Sequence, residues 1–340
     1  MKAPTESEIM DLMNAGTSDN AIETDVGQDV ISRFRSGKES VGIALGSGGG
    51  RGLAHIGVLK YLSEIGIHPS FVAGTSAGAI VGAAYACGRM AELEALALGS
   101  DWRFMARIFG EIGIHRSGIF TGRHIESFMR AFLPAGTIEE LERPFAAVAS
   151  DYRRRTEVVF DKGDVVEAVR ASISIPGVFT PVRFHGRYLV DGALLNPVPV
   201  SVVRRMGASF VIGVDVNLAA GKGIADGERP RTKSKFDRHL QRLRERFDEL
   251  VEASPSAAAA FESAKEIIED YRSGPTMVEV LMQTMRIAEN RMTEARLVSD
   301  PPDILVQPPV GDIATLDFTS ADACIRAGYE AARKRIGESR

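Results

Sequence analysis

Gly74-Thr75-Ser76-Ala77-Gly78 is a GxSxG sequence. In that pattern small residues let the chain turn sharply from a strand into a helix, so that the serine hydroxyl stands clear as a nucleophile. The context fits, because the apolar run Phe71-Val72-Ala73 precedes the turn and a small-residue helix, Ala79 to Ala86, follows it. Ser76 then sits at a helix N-terminus, where peptide dipoles favour a developing alkoxide. In a chain with 34 glycines, a chance match is the rival reading.

A second glycine run, Gly46-Ser47-Gly48-Gly49-Gly50-Arg51-Gly52, follows the buried-strand pattern Val41 to Leu45. A nucleotide-phosphate loop is the first alternative to weigh, and the spacing opposes it. A GxGxxG starting at Gly46 needs glycine at Arg51, one starting at Gly48 needs it at Leu53, and no Lys-Ser/Thr pair completes a Walker loop. What remains is a flexible loop ahead of a helix, with unhindered backbone N–H groups of the kind that stabilise an oxyanion.

A serine nucleophile needs a base, and imidazole is the commonest. His55 falls in the helix after the glycine loop, His68 beside Pro69, His115 and His124 in a helical region, His185 on a hairpin turn and His239 in a charged helix. None ends a strand, and each reads as a structural or surface residue. Asp191 does end a strand, followed by Gly192 and Ala193, with Asn196-Pro197-Val198-Pro199 shaping a helix start. The bland reading of Asp191 is a turn aspartate that caps its own backbone.

These residues need elements to position them. Strand patterns recur at Val41–Leu45, Phe71–Ala73, Phe145–Ala149, Glu157–Phe160, Phe210–Val216 and Asp303–Gln307, alternating with helical stretches. Val182, Phe184, Tyr188 and Val190 flank the His185-Gly186 turn as a hairpin. The alternation predicts a three-layer α/β/α fold with a mostly parallel central sheet. Residues 1–38 read as a polar arm, 39–218 as the catalytic core, 219–274 as a charged linker with an amphipathic insertion, and 275–340 as a helix-strand-helix completing the core. Several helices are expected over 91–133. The stripe Phe236, Leu240, Leu243, Phe247, Leu250 reads as a surface helix, with a lid over 222–252 as the alternative. Met277, Leu281, Met285 and Met292 read as core rather than substrate cradle. Arg153, Arg154 and Arg155 read as a solvated turn, with contact to an anionic head group as the alternative.

Composition narrows the classes. At 44% hydrophobic and 25% charged the 340 residues suit a globular protein, and a net charge of -4 offers polyanions no general attraction, so nucleic acid is not expected as a partner. Two cysteines, Cys87 and Cys324, supply neither a disulfide framework nor a multi-cysteine metal site. The start lacks the apolar core of a secretory signal, which makes the cytoplasm the expectation. Pro69 through Gly88 is uncharged, but its strand-turn-helix signals and lack of leucine argue against a membrane span.

Taken in order, Gly48-Gly49-Gly50-Arg51-Gly52, Gly74-Thr75-Ser76-Ala77-Gly78 and Asp191-Gly192-Ala193 resemble the motifs of patatin-like phospholipases. The block Ala171 to Phe179 is also similar, and the likeness extends over about residues 40–217, most closely to the bacterial branch related to the neuropathy target esterase catalytic domain. The resemblance implies a Ser76–Asp191 dyad without histidine, and an oxyanion hole from the N–H groups of Gly49, Gly50 and Arg51. It also implies an acyl-enzyme, no metal and no cofactor. The substrates implied are phospholipids, lysophospholipids or other fatty-acyl esters, with peripheral membrane contact. A thioesterase, or a catalytically silent lipid-binding protein keeping the fold, are the alternatives. Ser47 departs from the plant patatins, which tend to carry an acidic residue before the glycines.

Overall fold

Val41–Leu45 is apolar apart from one glycine and buried at every position, as befits a strand covered on both faces. In the computed structural model it is β1, the inner strand of a sheet. Residues 40–100, 112–115, 118–217 and 277–337 are described. They fall into two units, one within Met1–Ala220 and Ile287–Arg340, the other within Gly221–Arg286. The first carries the sheet, the glycine loop, Ser76 and Asp191.

After β1 come α1 (Ala54–Glu64), β2 (Phe71–Thr75), α2 (Ala77–Ala86) and α3 (Met90–Gly99). Next are β3 (Ile112–His115), β4 (Gly118–Phe120), α4 (Arg123–Phe132), β5 (Phe145–Asp151), β6 (Thr156–Phe160) and α5 (Val165–Ser172). The chain continues through β7 (Gly177–Phe179), β8 (Val182–Phe184), β9 (Arg187–Asp191), α6 (Val200–Arg205) and β10 (Phe210–Val214). Last are α7 (Met277–Ser299), β11 (Ile304–Val306) and α8 (Ala321–Ala332).

The main sheet runs β11-β10-β1-β2-β5-β9-β8, with β6 also paired to β5. From β11 to β5 the strands are parallel, and β6, β8 and β9 are antiparallel to their neighbours. Alternate residues point to opposite faces of a strand. Ala44, Ala73, Ala146, Val148 and Val211 therefore share a face, where they pack on Val200, Val202 and Val203 of α6. Leu45, Val72 and Phe145 point the other way and meet α2, whose Gly82 lies against all three. Helices thus cover both faces, and the three-layer α/β/α architecture with its mostly parallel sheet is the one the alternation predicts.

The register explains how Ser76 and Asp191 meet. Thr75 pairs with Val148, and Asp191 pairs with Ala149, the next residue of the same strand. β2 reaches the middle of β5 from one direction and β9 reaches it from the other, so their ends abut. The uncharged stretch from Pro69 to Gly88 is strand, turn and helix, and among the described residues no helix is long and apolar enough to cross a membrane.

Two expectations need correcting. The segment 91–133 is not helical throughout: β3 and β4 lie within it and form a small separate sheet with β7. The short β-prone pieces Ile112–His115 and Gly118–Phe120 are too brief to register as a periodic pattern. From Ile287 onward α7 is core only in part: Thr293 is fully buried, Met292 and Leu297 are half-buried, and Leu297 packs against the apolar face that α6 covers. The helix and strand expected near the C-terminus are present, and α8 packs on α1 with the Tyr61 and Tyr329 rings edge to face at 5.4 Å. The suggested lid over 222–252 lies outside the described residues.

Candidate active site

Between β2 and α2 the chain turns so tightly that side chains cannot fit on either flank. A Cβ on Gly74 would stand 2.3 Å from the Gly78 carbonyl oxygen, and one on Gly78 would stand 2.1 Å from that of Leu45. Ser76, at the apex, adopts φ 55° and ψ -120°. Positive φ in a residue with a side chain costs on the order of 1–3 kcal/mol and persists only where surrounding contacts enforce it. Here the Ser76 N–H donates to the Ser172 hydroxyl at 2.8 Å, and that hydroxyl donates to the Val148 carbonyl at 2.6 Å. Thr75 Oγ1 donates to the Asn196 carbonyl at 2.8 Å.

Ser76 Oγ donates to Asp191 Oδ2 at 2.6 Å, and both residues are buried. Asp191 Oδ1 accepts the Ala193 N–H at 2.9 Å, while the Asp191 N–H donates to the Ser174 carbonyl at 3.0 Å. Burial raises the Asp191 pKa from 3.8 to about 7, and the nearby Glu289 charge adds to the rise, against the opposing hydrogen bonds from Ser76 and Ala193. A carboxyl poised there exchanges a proton near neutrality, which an ordinary aspartate does not. Of the histidines, His55 is fully buried, bonded through Nε2 to the Gly46 carbonyl at 2.7 Å, and burial lowers its pKa to about 4. It is a neutral brace for the glycine loop, while His68, His124 and His185 are exposed.

The glycine loop leaves β1 and forms a single 3-10 turn over Gly49–Leu53. Gly49 and Gly52 line the same cavity as Ser76. The Gly50 N–H is differently placed, because it donates to the Thr315 carbonyl at 2.7 Å. Arg51 is fully buried and its guanidinium turns away, donating to Asn217 Oδ1 at 2.7 Å and to the Ile313 carbonyl at 3.3 Å.

Behind the loop lies a polar cluster with no sequence signal. The Ser47 hydroxyl donates to the Glu289 carboxylate. Asn217 Nδ2 donates to Glu289 Oε1 at 2.7 Å and to the Ser47 carbonyl at 3.0 Å. Burial raises the Glu289 pKa, while the Ser47 hydrogen bond, the Arg51 charge and the Asn217 hydrogen bond pull it back. An acidic group thus does hold the start of this loop, but it comes from α7, more than two hundred residues downstream.

The cavity facing Ser76 has a volume of about 140 Å³ and opens to solvent. Leu93 of α3, Ile125, Phe128 and Met129 of α4, and Leu316 and Phe318 near the C-terminus supply much of its wall. Its lining side chains are apolar except for Ser76 and Ser100, and Ser100 Oγ donates to the Leu96 carbonyl at 2.6 Å. Such a wall suits a hydrocarbon chain, with Ser76 as the polar point against it. The walls were the part sequence reasoning missed. Ile125, Phe128, Met129 and Phe132 stand at i, i+3, i+4 and i+7, a stripe that could have been found.

Comparison with known proteins identifies the family. The family model described as patatin-like phospholipase matches residues 43–204, which contain both Ser76 and Asp191. An uncharacterized NTE family protein of Mycobacterium tuberculosis is 32% identical over 335 residues, covering 88% of this chain and 92% of that protein. Another from the same organism is 30% identical, over 91% of this chain and 48% of that protein. Lysophospholipase NTE1 of Kluyveromyces lactis is 27% identical, over 88% of this chain but only 19% of its own length. Identity of this extent, with the family model lying across the elbow, the glycine loop and Asp191, places the chain in the patatin-like phospholipase family.

Proposed function

We propose that this protein is a lipid acyl hydrolase of the phospholipase and lysophospholipase type, working through a Ser76–Asp191 dyad and an acyl-enzyme. The observation that carries the reading is the 2.6 Å Ser76–Asp191 hydrogen bond at the wall of an apolar cavity. Ser76 Oγ attacks the ester carbonyl carbon while its proton passes to Asp191 Oδ2. The tetrahedral oxyanion is held by backbone N–H groups of Gly49 and Arg51, joined by Gly50 once the Thr315 carbonyl releases it. Collapse expels the alcohol, which takes the proton back from Asp191. Water then attacks the acyl-enzyme, again giving a proton to Asp191, and the fatty acid leaves as Ser76 is restored.

An aspartate with a pKa near 7 suits this cycle, since a general base works best when its pKa lies near the operating pH. The apolar cavity favours fatty-acyl chains, and the family's lysophospholipase relative supports phospholipid or lysophospholipid substrates. Such substrates reside in aggregates, so the protein works at the periphery of a membrane or micelle. The test is fluorophosphonate labelling with mass-spectrometric mapping, run beside hydrolysis of a medium-chain nitrophenyl ester and a lysophospholipid. Label on Ser76, with turnover lost in Ser76→Ala and Asp191→Asn, is expected. A folded protein that takes no label and turns over neither ester would be a silent lipid-binding member of the family instead. Turnover of acyl thioesters alone would mark a thioesterase.

A further inference from the structure

The turn joining β5 to β6 lies beside the β8–β9 hairpin, with the Tyr152 N–H donating to the Tyr188 carbonyl at 3.3 Å. Residues 151–155 and 183–188 together hold five arginines, Arg153, Arg154, Arg155, Arg183 and Arg187, against one carboxylate, Asp151, which is buried. In a chain of net charge -4 this is a pronounced local reversal. The Arg153 guanidinium lies over the Tyr188 ring at 5.1 Å and the Tyr152 ring at 5.8 Å. Arg154 and Arg187 approach Asp151 Oδ2 at 3.8 and 4.0 Å, and Arg155 and Arg183 have no ion-pair partner among the described residues.

The turn is built to keep its shape. Asp151 Oδ1 accepts the N–H groups of Arg153 and Arg154 at 3.1 and 3.0 Å, and the Arg155 N–H donates to the Asp151 carbonyl at 2.7 Å. Its place follows from the register. Asp151 pairs with Leu189 two residues beyond the Ala149–Asp191 pair, so the turn stands on the order of 10 Å along the strand from Asp191. That is the end of the sheet where β1 and β2 release the glycine loop and Ser76.

We propose that this arginine–tyrosine surface docks the protein on the anionic face of a phospholipid bilayer. Guanidinium groups bind phosphate oxygens in pairs, and tyrosine rings settle at head-group level with the ring inward and the hydroxyl in water. Tyr152, 50% exposed beside Arg153, has that form. A free phosphate has no use for the exposed ring, and a chain of net charge -4 offers nucleic acid no general attraction, so a bilayer is the occupant the surface fits. The placement beside Ser76 rests on the proposed hydrolase reading, whereas the binding itself does not.

The 340-residue Ser76→Ala protein, which leaves the vesicles chemically intact, is sedimented with vesicles of phosphatidylcholine alone and with added phosphatidylserine. Binding is expected with the anionic vesicles and should weaken as salt is raised. In that background the triple replacement of Arg153, Arg154 and Arg155 by alanine should weaken it about a hundredfold, and replacement by lysine should restore most of it. The same alanine replacements in active protein should leave soluble nitrophenyl ester turnover and Tm unchanged, which shows the fold intact. Equal binding to neutral vesicles, or a triple alanine variant within twofold of its parent, overturns the proposal. Docking without phospholipid turnover would instead count against the hydrolase reading, and turnover of dispersed lysophospholipid without docking would count against this one.

Discussion

Two serine–carboxylate pairs flank the glycine loop, and they differ in ways that separate chemistry from architecture. Ser76 donates to Asp191 and Ser47 donates to Glu289; both serines are buried, and burial raises both carboxyl pKa values. Yet Ser76 lines the cavity at an elbow with φ 55°, while Ser47 lies behind the loop with its N–H on the Pro197 carbonyl. Asp191 shares its hydrogen bonds with one further N–H, whereas Glu289 is also tied to Asn217 and faces the Arg51 charge. A short contact between hydroxyl and carboxylate is therefore not a nucleophile by itself. Access to a substrate cavity and a strained backbone that points the oxygen into it make the difference.

The largest effect that comparison predicts is at the two serines. Ser76→Ala should lower kcat for a nitrophenyl ester by about ten-thousandfold or more, and Ser47→Ala by no more than about tenfold, measured side by side. Equal losses would erase the distinction. Next comes Asp191→Asn, expected to lower kcat about a thousandfold while raising Tm at neutral pH. The folded pKa of Asp191 lies above its unfolded value, so its stabilising contribution is complete below about pH 4 and is lost as pH rises through about 7. Asparagine removes that loss, and allowing for its own buried amide the gain at pH 8 should be about 2 kcal/mol. Thermal melts from pH 4 to 8 should show the variant's advantage growing across that window.

How much of this was readable beforehand follows the range of the interactions. The elbow, the glycine loop and the strand bearing Asp191 are local patterns of spacing and residue size, and the alternation that predicts the sheet is local too. The neighbours of those residues are not. Ser172 braces Ser76 from α5, nearly a hundred residues on, and Glu289 braces Ser47 across a still longer span. Nothing in either segment distinguishes these polar side chains from ordinary helix residues. The cavity wall lies between the two cases: the α4 stripe was legible as a helix face, but not that it faced a void. The occupation of the Gly50 N–H by Thr315 could only come from tertiary packing.

Ser172 gives the third effect. Ser172→Ala leaves the Ser76 N–H and the Val148 carbonyl without the hydroxyl between them, and stranding buried groups in this way costs about 1–3 kcal/mol. Tm should fall by several degrees, and kcat by about tenfold as the elbow loses its brace, with KM little changed. A variant that lost stability but kept full kcat would show that the backbone at Ser76 is held by Gly74 and Gly78 alone.

The smallest change sharpens the comparison most. Glu289→Gln keeps the side chain's length and one oxygen to accept from Ser47 and Asn217, so the loop should stay in place and kcat should fall only a few-fold. What it removes is a negative charge near Asp191. A like charge disfavours ionisation, so its removal makes Asp191 easier to ionise and should move the acid limb of the kcat/KM profile, near pH 7 in the parent, to lower pH. Ser47→Ala leaves that charge in place and should shift the limb far less, even where it costs more activity. If the limb moves in neither variant, Glu289 acts on the loop alone. If it moves in Glu289→Gln only, the second pair contributes to catalysis by setting the potential felt by the first.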